Sequence, residues 1–305
     1  MSTDQHSVNS LPRDWQQSAA LLRDAHGHRV YRIDVGGRSA ILKLAADPAD
    51  VAIGNEQASY ALLDRLGVPV LQVLGTGQGW LLLEDLDASP THRLASEEDM
   101  SDCAVGAAVA GWYGSLHRAG RELLAAREAP GFLTRETDPL TPSSILLTAR
   151  LLGQAEAGVW RLAAESIDAL KAQLERLPTT LTYNDFDVGN LALRRELASG
   201  RRMAREVPQA PGAVVFDYHL LGIGLAYSDV RNVRGSLRGD AREAFLAAYG
   251  PTDTQEELLD RPLSVLVGLH EAARRERLPR WAEPLLQSVM TGQLERDLRA
   301  LVEYL

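Results

Sequence analysis

Apolar and polar positions alternate through the first third of the chain. Residues 19–44 carry this two-residue period, broken only at Gly36-Gly37, and a two-glycine link between such runs predicts a β-hairpin. Residues 24–29 form the turn ahead of it. A helical stretch follows over residues 52–63, closed by Leu66-Gly67 with glycine just past the last periodic position. Two further strand-like runs, residues 70–74 and 79–84, bring the count to five antiparallel strands and one helix. Beyond them the period lengthens to about 3.6 residues. Val105, Ala108, Val109, Trp112 and Leu116 then share one helical face, and Val159, Leu162, Ala163, Ile167, Leu170 and Leu174 share another. After residue 240 the chain reads as helices over residues 244–249, 263–273 and 284–305. The pattern predicts an α+β protein with a sheet at its N-terminal end and a mainly helical remainder.

Composition narrows the class. A chain of 305 residues buries a substantial core and divides most naturally into two lobes, and 45% hydrophobic with 24% charged residues is ordinary for a globular enzyme. The net charge of −9 argues against a general nucleic-acid binder and is compatible with a cationic substrate. Cys103 is the only cysteine, so neither an internal disulfide nor a cysteine-based zinc site is expected, and a reducing cytoplasm is the simple inference. The opening Met-Ser-Thr-Asp-Gln-His-Ser is polar and lacks the basic start and apolar core of a signal peptide, and residues 1–12 are expected to be loosely ordered. No apolar run reaches membrane-spanning length, and no membrane partner is expected.

The chemistry concentrates in two short stretches. Residues 181–190, Leu-Thr-Tyr-Asn-Asp-Phe-Asp-Val-Gly-Asn, and residues 213–217, Ala-Val-Val-Phe-Asp, put Asp185, Asn190 and Asp217 at the ends of apolar runs. A sheet would present all three at one mouth. One carboxylate can there meet a substrate hydroxyl, while the asparagine and the second carboxylate hold magnesium against nucleotide phosphates. Taken alone, the first stretch also reads as an ordinary polar turn. Lys43 shares the chain with only one other lysine, Lys171, and sits between apolar neighbours in a predicted strand. A solvent-facing strand lysine is the plain alternative, but Glu56 on the helix that follows is a ready partner.

At these residues the sequence resembles the aminoglycoside phosphotransferase and choline kinase-like family, the small-molecule branch of the protein-kinase fold, over most of its length. The family loop reads His-Gly-Asp-x-x-x-x-Asn, and its later strand ends in Ile-Asp followed by an aromatic residue. Asp185, Asn190 and Asp217-Tyr218 match, while Tyr183 and Asn184 replace the His and Gly. The resemblance implies a bilobal protein-kinase-like fold: residues 13–86 as the nucleotide-binding lobe, a five-stranded antiparallel sheet with one helix, and residues 87–305 as a mainly helical lobe with the catalytic loop, metal site and acceptor helices. It implies transfer of the γ-phosphoryl group of ATP or GTP to a hydroxyl of a small molecule, with Mg2+ required.

The same resemblance assigns roles. Asp185 orients the hydroxyl, Asn190 and Asp217 hold the metal, and Lys43, steadied by Glu56, fixes the phosphates. The turn containing Gly27 lies over the phosphates, although an ordinary hairpin turn is the alternative there. Backbone groups of Glu84, Asp85 and Leu86 meet the adenine edge, with side chains of little account. Asp229 props the catalytic loop through backbone N–H bonds, and His117 is structural. Asp185, Asp187 and Asp217, with Glu256, Glu257, Asp260 or Glu271 from the last helices, favour a cationic or neutral polar acceptor, an aminoglycoside-like amine first. A choline-, sugar- or nucleoside-type kinase is an alternative. So is a nucleotide-binding pseudokinase, suggested by Tyr183, Asn184 and the glycine-poor turn. Arg194, Arg195, Arg201, Arg202 and Arg205 read as a solvated hairpin extension or an anion contact.

Overall fold

The computed structural model of the chain describes residues 11–25, 27–47, 50–196 and 212–304. The segment 1–10 and Arg201, Arg202 and Arg205 lie outside them. Helix α1 (Arg13–Ser18) leads into β1 (Ala20–Ala25), β2 (His28–Val35) and β3 (Arg38–Ala45), followed by α2 (Val51–Arg65), β4 (Val73–Gly77) and β5 (Trp80–Glu84). The strands form one antiparallel sheet in the order β1-β2-β3-β5-β4. Gly36 and Gly37 close the hairpin with φ of 61° and 83°, a pair of left-handed conformations that glycine adopts without a Cβ penalty. Tyr31, Ile33, Ala40, Leu42, Leu44 and Leu82 make the apolar face of this sheet.

The chain continues through β6 (His92–Leu94), α3 (Cys103–Ala125), α4 (Pro142–Leu151), α5 (Gly158–Leu174), β7 (Thr180–Thr182), β8 (Leu191–Arg194), β9 (Ala213–Val215), β10 (Gly222–Gly224), α6 (Ala226–Ser236), α7 (Gly239–Tyr249), α8 (Thr254–Ala273), α9 (Glu283–Met290) and α10 (Gln293–Tyr304). Strands β6, β8 and β9 make a three-stranded sheet, and β7 pairs with β10. Expectations change at several places: β4 covers Val73–Gly77 rather than 70–74, and α7 and α8 begin at Gly239 and Thr254 rather than at 244 and 263. Residues 284–305 form two helices, because Gly292, at φ 71°, closes the first before α10 begins. Helix α4 was not anticipated, yet Thr141 and Ser144 form a capping box around Pro142 at its first turn.

The residues pack as two compact units. One comprises the described residues of Met1–Ala119, Asp185–Leu221 and Asn232–Gly250; the other comprises Gly120–Asn184, Gly222–Arg231 and Pro251–Leu305. In the first, Gly106 leaves no room for a side chain, since a Cβ there would lie 2.0 Å from the Ala241 carbonyl oxygen. His117 is fully buried in the same unit, with Nδ1 2.7 Å from the Tyr249 hydroxyl, which is the structural role expected of it. In the second, Trp160, Ile167, Leu170, Leu263, Leu266, Leu269 and Leu298 build one apolar core from α5, α8 and α10, each such side chain contributing about 1.5–3 kcal/mol on burial. Among the described residues, no helix is long and apolar enough to cross a membrane.

Candidate active site

Strand β3 sends Ala40, Leu42 and Leu44 into the sheet core, so its two-residue period turns Lys43 to the other face. There Nζ donates to Glu56 Oε1 at 2.7 Å and to Asp217 Oδ1 at 2.7 Å. Glu56 lies on the buried side of α2, 2% exposed. Burial works against the ammonium, but Glu56 and Asp217 outweigh it and hold the Lys43 pKa above its ordinary value. The lysine stays charged between two carboxylates.

Asp217 reaches Lys43 because the backbone bends sharply after β9. Its φ of 70° and ψ of 71° are left-handed, which costs a non-glycine residue roughly 1–2 kcal/mol. Tyr218 holds the bend. Its hydroxyl donates to the Val215 carbonyl, and its ring meets Tyr60 edge-on at 4.6 Å and lies parallel to Trp112 at 6.5 Å. Burial alone would raise the Asp217 pKa, yet His219, with Nδ1 3.1 Å from Oδ1, and Lys43 together hold it well below the usual carboxylate range. His219 was missed by sequence reasoning. Nothing local could have found it, since its pairing depends on the left-handed turn.

The loop that begins at Tyr183 is braced from α6. The Asp229 carboxylate, fully buried, accepts the Tyr183 N–H at 2.9 Å and the Asn184 N–H at 2.8 Å, the backbone support expected of it. Asn184, where the family pattern has glycine, adopts φ 65°. Asparagine tolerates this region better than other side chains. It is also held in place, with Nδ2 donating to Thr182 Oγ1 at 3.0 Å and Oδ1 accepting from Ser228 Oγ at 3.2 Å. The Tyr-Asn departure therefore preserves the turn. In the next residue, Asp185, burial pushes the carboxyl up while His219 opposes it, and Asn190 Nδ2 donates to Oδ2 at 2.9 Å. Asp187 caps the following turn by accepting the Gly189 N–H at 2.8 Å.

The donor set suits magnesium. Among the described residues no three His, Cys, Asp or Glu side chains are grouped to enclose a metal ion. Asp217 would offer a carboxylate, and Asn190, whose Nδ2 is spent on Asp185, would offer Oδ1. One carboxylate and one amide, with phosphate and water completing the shell, is how this cation is commonly held.

Gly27 closes the turn between β1 and β2 at φ 77°. In residues 84–86 the side chains are engaged within the protein: Asp85 accepts from Arg32 Nε at 2.7 Å, Ser39 Oγ at 2.6 Å and the Asp87 N–H at 3.1 Å, while Glu84 Oε1 accepts the Gln72 N–H at 2.9 Å. Arg195 is exposed, as expected, and its guanidinium also donates to the Ser89 carbonyl at 2.8 Å and the Leu86 carbonyl at 3.2 Å. The acidic residues of α8 are also engaged. Glu256 accepts the Tyr227 N–H at 2.9 Å, Asp260 pairs with Arg231 at 2.6 Å and Glu257 with Arg261 at 2.8 Å, while Glu271 is exposed. In the second unit, Glu136 lines a cleft with Arg135, Asp260, Leu225 and Leu263. Burial, joined by Asp260 and Asp229 and opposed by Arg231, pushes its carboxyl up to about 7. Sequence reading gave no hint of it.

The sequence profile of the phosphotransferase enzyme family (APH) matches residues 19–263. The chain belongs to this family. As an APH phosphotransferase it is a small-molecule kinase, with a protein-kinase-like α+β fold and a small molecule as acceptor. Solved structures similar to this APH phosphotransferase include a choline kinase from Streptococcus pneumoniae, 13% identical with a TM-score of 0.59, covering 92% of this chain and 94% of that one. An ethanolamine kinase from Plasmodium vivax is 12% identical with a TM-score of 0.56, covering 95% and 87%. A spectinomycin phosphotransferase in complex with ADP and spectinomycin is 10% identical with a TM-score of 0.52, covering 92% of each. At such identities the likeness is one of fold. No curated protein matches the sequence.

Proposed function

We propose that the protein moves the γ-phosphoryl group of ATP onto a hydroxyl of a small, cationic or neutral polar acceptor with the help of Mg2+. The observation that carries this reading is Lys43 Nζ, 2.7 Å from both Glu56 and Asp217, in the same compact unit as the hydrogen-bonded Asp185 and Asn190. Lys43 fixes the α- and β-phosphates, and Asp217 and Asn190 hold magnesium. The metal, when bound, neutralises charge on the phosphoryl oxygens. Asp185 orients the acceptor hydroxyl and takes its proton late. Burial raises its proton affinity, which makes it a better acceptor than an exposed aspartate. Because the transition state is loose, positioning and charge supply most of the acceleration.

Residues 13–86, with Gly27 over the phosphates and residues 84–86 at the base, form the nucleotide lobe in this reading, and residues 87–305 form the other. We place the protein in the cytoplasm, where an exposed thiol such as Cys103 stays reduced. Asp185, Asp187 and Asp217 favour an amine-bearing alcohol, of aminoglycoside or choline type, over an anion. The α8 carboxylates add little, being engaged already.

The test is ADP release from Mg-ATP against pools of aminoglycosides, amino alcohols, sugars and nucleosides, in wild type and Asp185→Ala. Turnover on an amine-bearing pool should fall by about 10²–10⁴ in the variant while ATP binding measured by calorimetry persists. Undiminished turnover by the variant would sink the assignment of Asp185.

A further inference from the structure

Arg195 folds back over the segment that follows β5. Its N–H donates to the Thr91 carbonyl at 3.0 Å, extending the pairing of β6 with β8. Its guanidinium then spans three carbonyls: Nε to Ser89 at 2.8 Å, and Nη2 to Leu86 at 3.2 Å and to Asp87 at 3.4 Å. Arg32 ties the same segment a second time through the carboxylates of Asp85 and Asp87, and the Ala88 N–H donates to the Asp85 carbonyl at 3.0 Å. One donor is left over. Among the described residues the Leu86 N–H has no protein partner, although Leu86 is only 8% exposed. A backbone donor so placed calls for a partner.

We infer that Arg195 sets the purine specificity of the nucleotide site in favour of adenine over guanine. The inference rests on the proposed phosphotransferase reading, in which this segment meets the edge of the base. Adenine presents one acceptor, N1, beside one donor, the N6 amino group; guanine presents the acceptor O6 beside two donors, N1–H and the N2 amino group. The Leu86 N–H can serve the acceptor of either base. The carbonyls discriminate. Those of Leu86, Asp87 and Ser89 already accept from a guanidinium, so they are weaker acceptors for a further donor, which would also meet positive charge. Adenine asks the segment for one acceptor, whereas guanine asks for two. A guanine would leave a donor unpaired, which lowers affinity by about tenfold or more.

The experiment titrates the full chain with ATP, inosine triphosphate and GTP at fixed Mg2+ by calorimetry, in wild type and Arg195→Met. Wild type should bind ATP at least about tenfold more tightly than GTP. Inosine triphosphate, which keeps N1–H but lacks the amino group, asks for one acceptor and should bind about as tightly as ATP. Arg195→Met frees the carbonyls and should narrow the ATP to GTP ratio by about tenfold through a gain in GTP affinity, which mere loosening of the segment would not produce. GTP bound as tightly as ATP by wild type, or a variant that weakens both in proportion, overturns the role of Arg195 alone. Wild-type protein that binds none of the three overturns the phosphotransferase reading with it. If Arg195→Met does not fold, Arg195→Gln takes its place, and an ATP to GTP ratio unchanged from wild type overturns the role of Arg195.

Discussion

Replacing Glu136 with glutamine should make the protein more stable, and more so as pH rises. Burial in the cleft lifts the Glu136 carboxyl from its ordinary 4.5 to about 7. The folded protein therefore holds this proton more tightly than the unfolded chain. Between those values the folded state binds more protons, so stability falls as pH rises from 4.5 and the full cost is present only above 7. A gap of about 2.5 pH units at about 1.36 kcal/mol each sets a ceiling near 3 kcal/mol. Glu136 is partly exposed, and solvent screening brings the expected cost to about 2 kcal/mol. Glutamine keeps the shape and cannot ionise. Urea denaturation followed by tryptophan fluorescence, with Trp160 in the core of the same unit, compares the two proteins at pH 5 and pH 8. The advantage of Glu136→Gln over wild type should grow by about 2 kcal/mol between the two pH values, and groups common to both proteins cancel in the difference. An advantage that is constant or shrinks with pH would show that Glu136 is not the destabilising charge the cleft implies.

The other predictions concern the site. Lys43→Met leaves the carboxylates of Glu56 and Asp217 facing each other without the ammonium, and should cost about 3 kcal/mol in denaturation as well as weakening ATP binding in a thermal-shift titration; unchanged stability would refute the bridging role. At position 184 the left-handed backbone should make Asn184→Ala less stable than Asn184→Gly by about 1 kcal/mol, the reverse of the usual alanine advantage, and equal midpoints in urea would contradict the geometry. Asp229→Ala strips the partner from two backbone N–H groups and should lose about 2–4 kcal/mol, with slower hydrogen exchange lost at Tyr183 and Asn184; retained protection there would mean another group has taken over.

Local patterns carried much of this protein into view. The two-residue period and the Gly36-Gly37 link specify the hairpin and the face on which Lys43 lies, because strand geometry is written residue by residue. The spacing from Asp185 to Asn190 and the apolar run before Asp217 mark the site residues for the same reason, and the capping signal at Thr141 was legible although passed over. Partner choice was legible only where the family resemblance supplied it, as for Lys43 with Glu56 and Asp229 with the loop backbone. Lys43 lies 174 residues from Asp217, and Arg195 lies 109 from Leu86. That α8 spends Glu256 and Asp260 on its own unit and that Glu136 holds its proton to about 7 were decided only when separate segments met. Propensity and period act over a few residues, but burial and hydrogen-bond pairing belong to the folded chain. A carboxylate free to bind substrate and one already satisfied by an arginine are the same letter in the sequence; tertiary packing alone tells them apart.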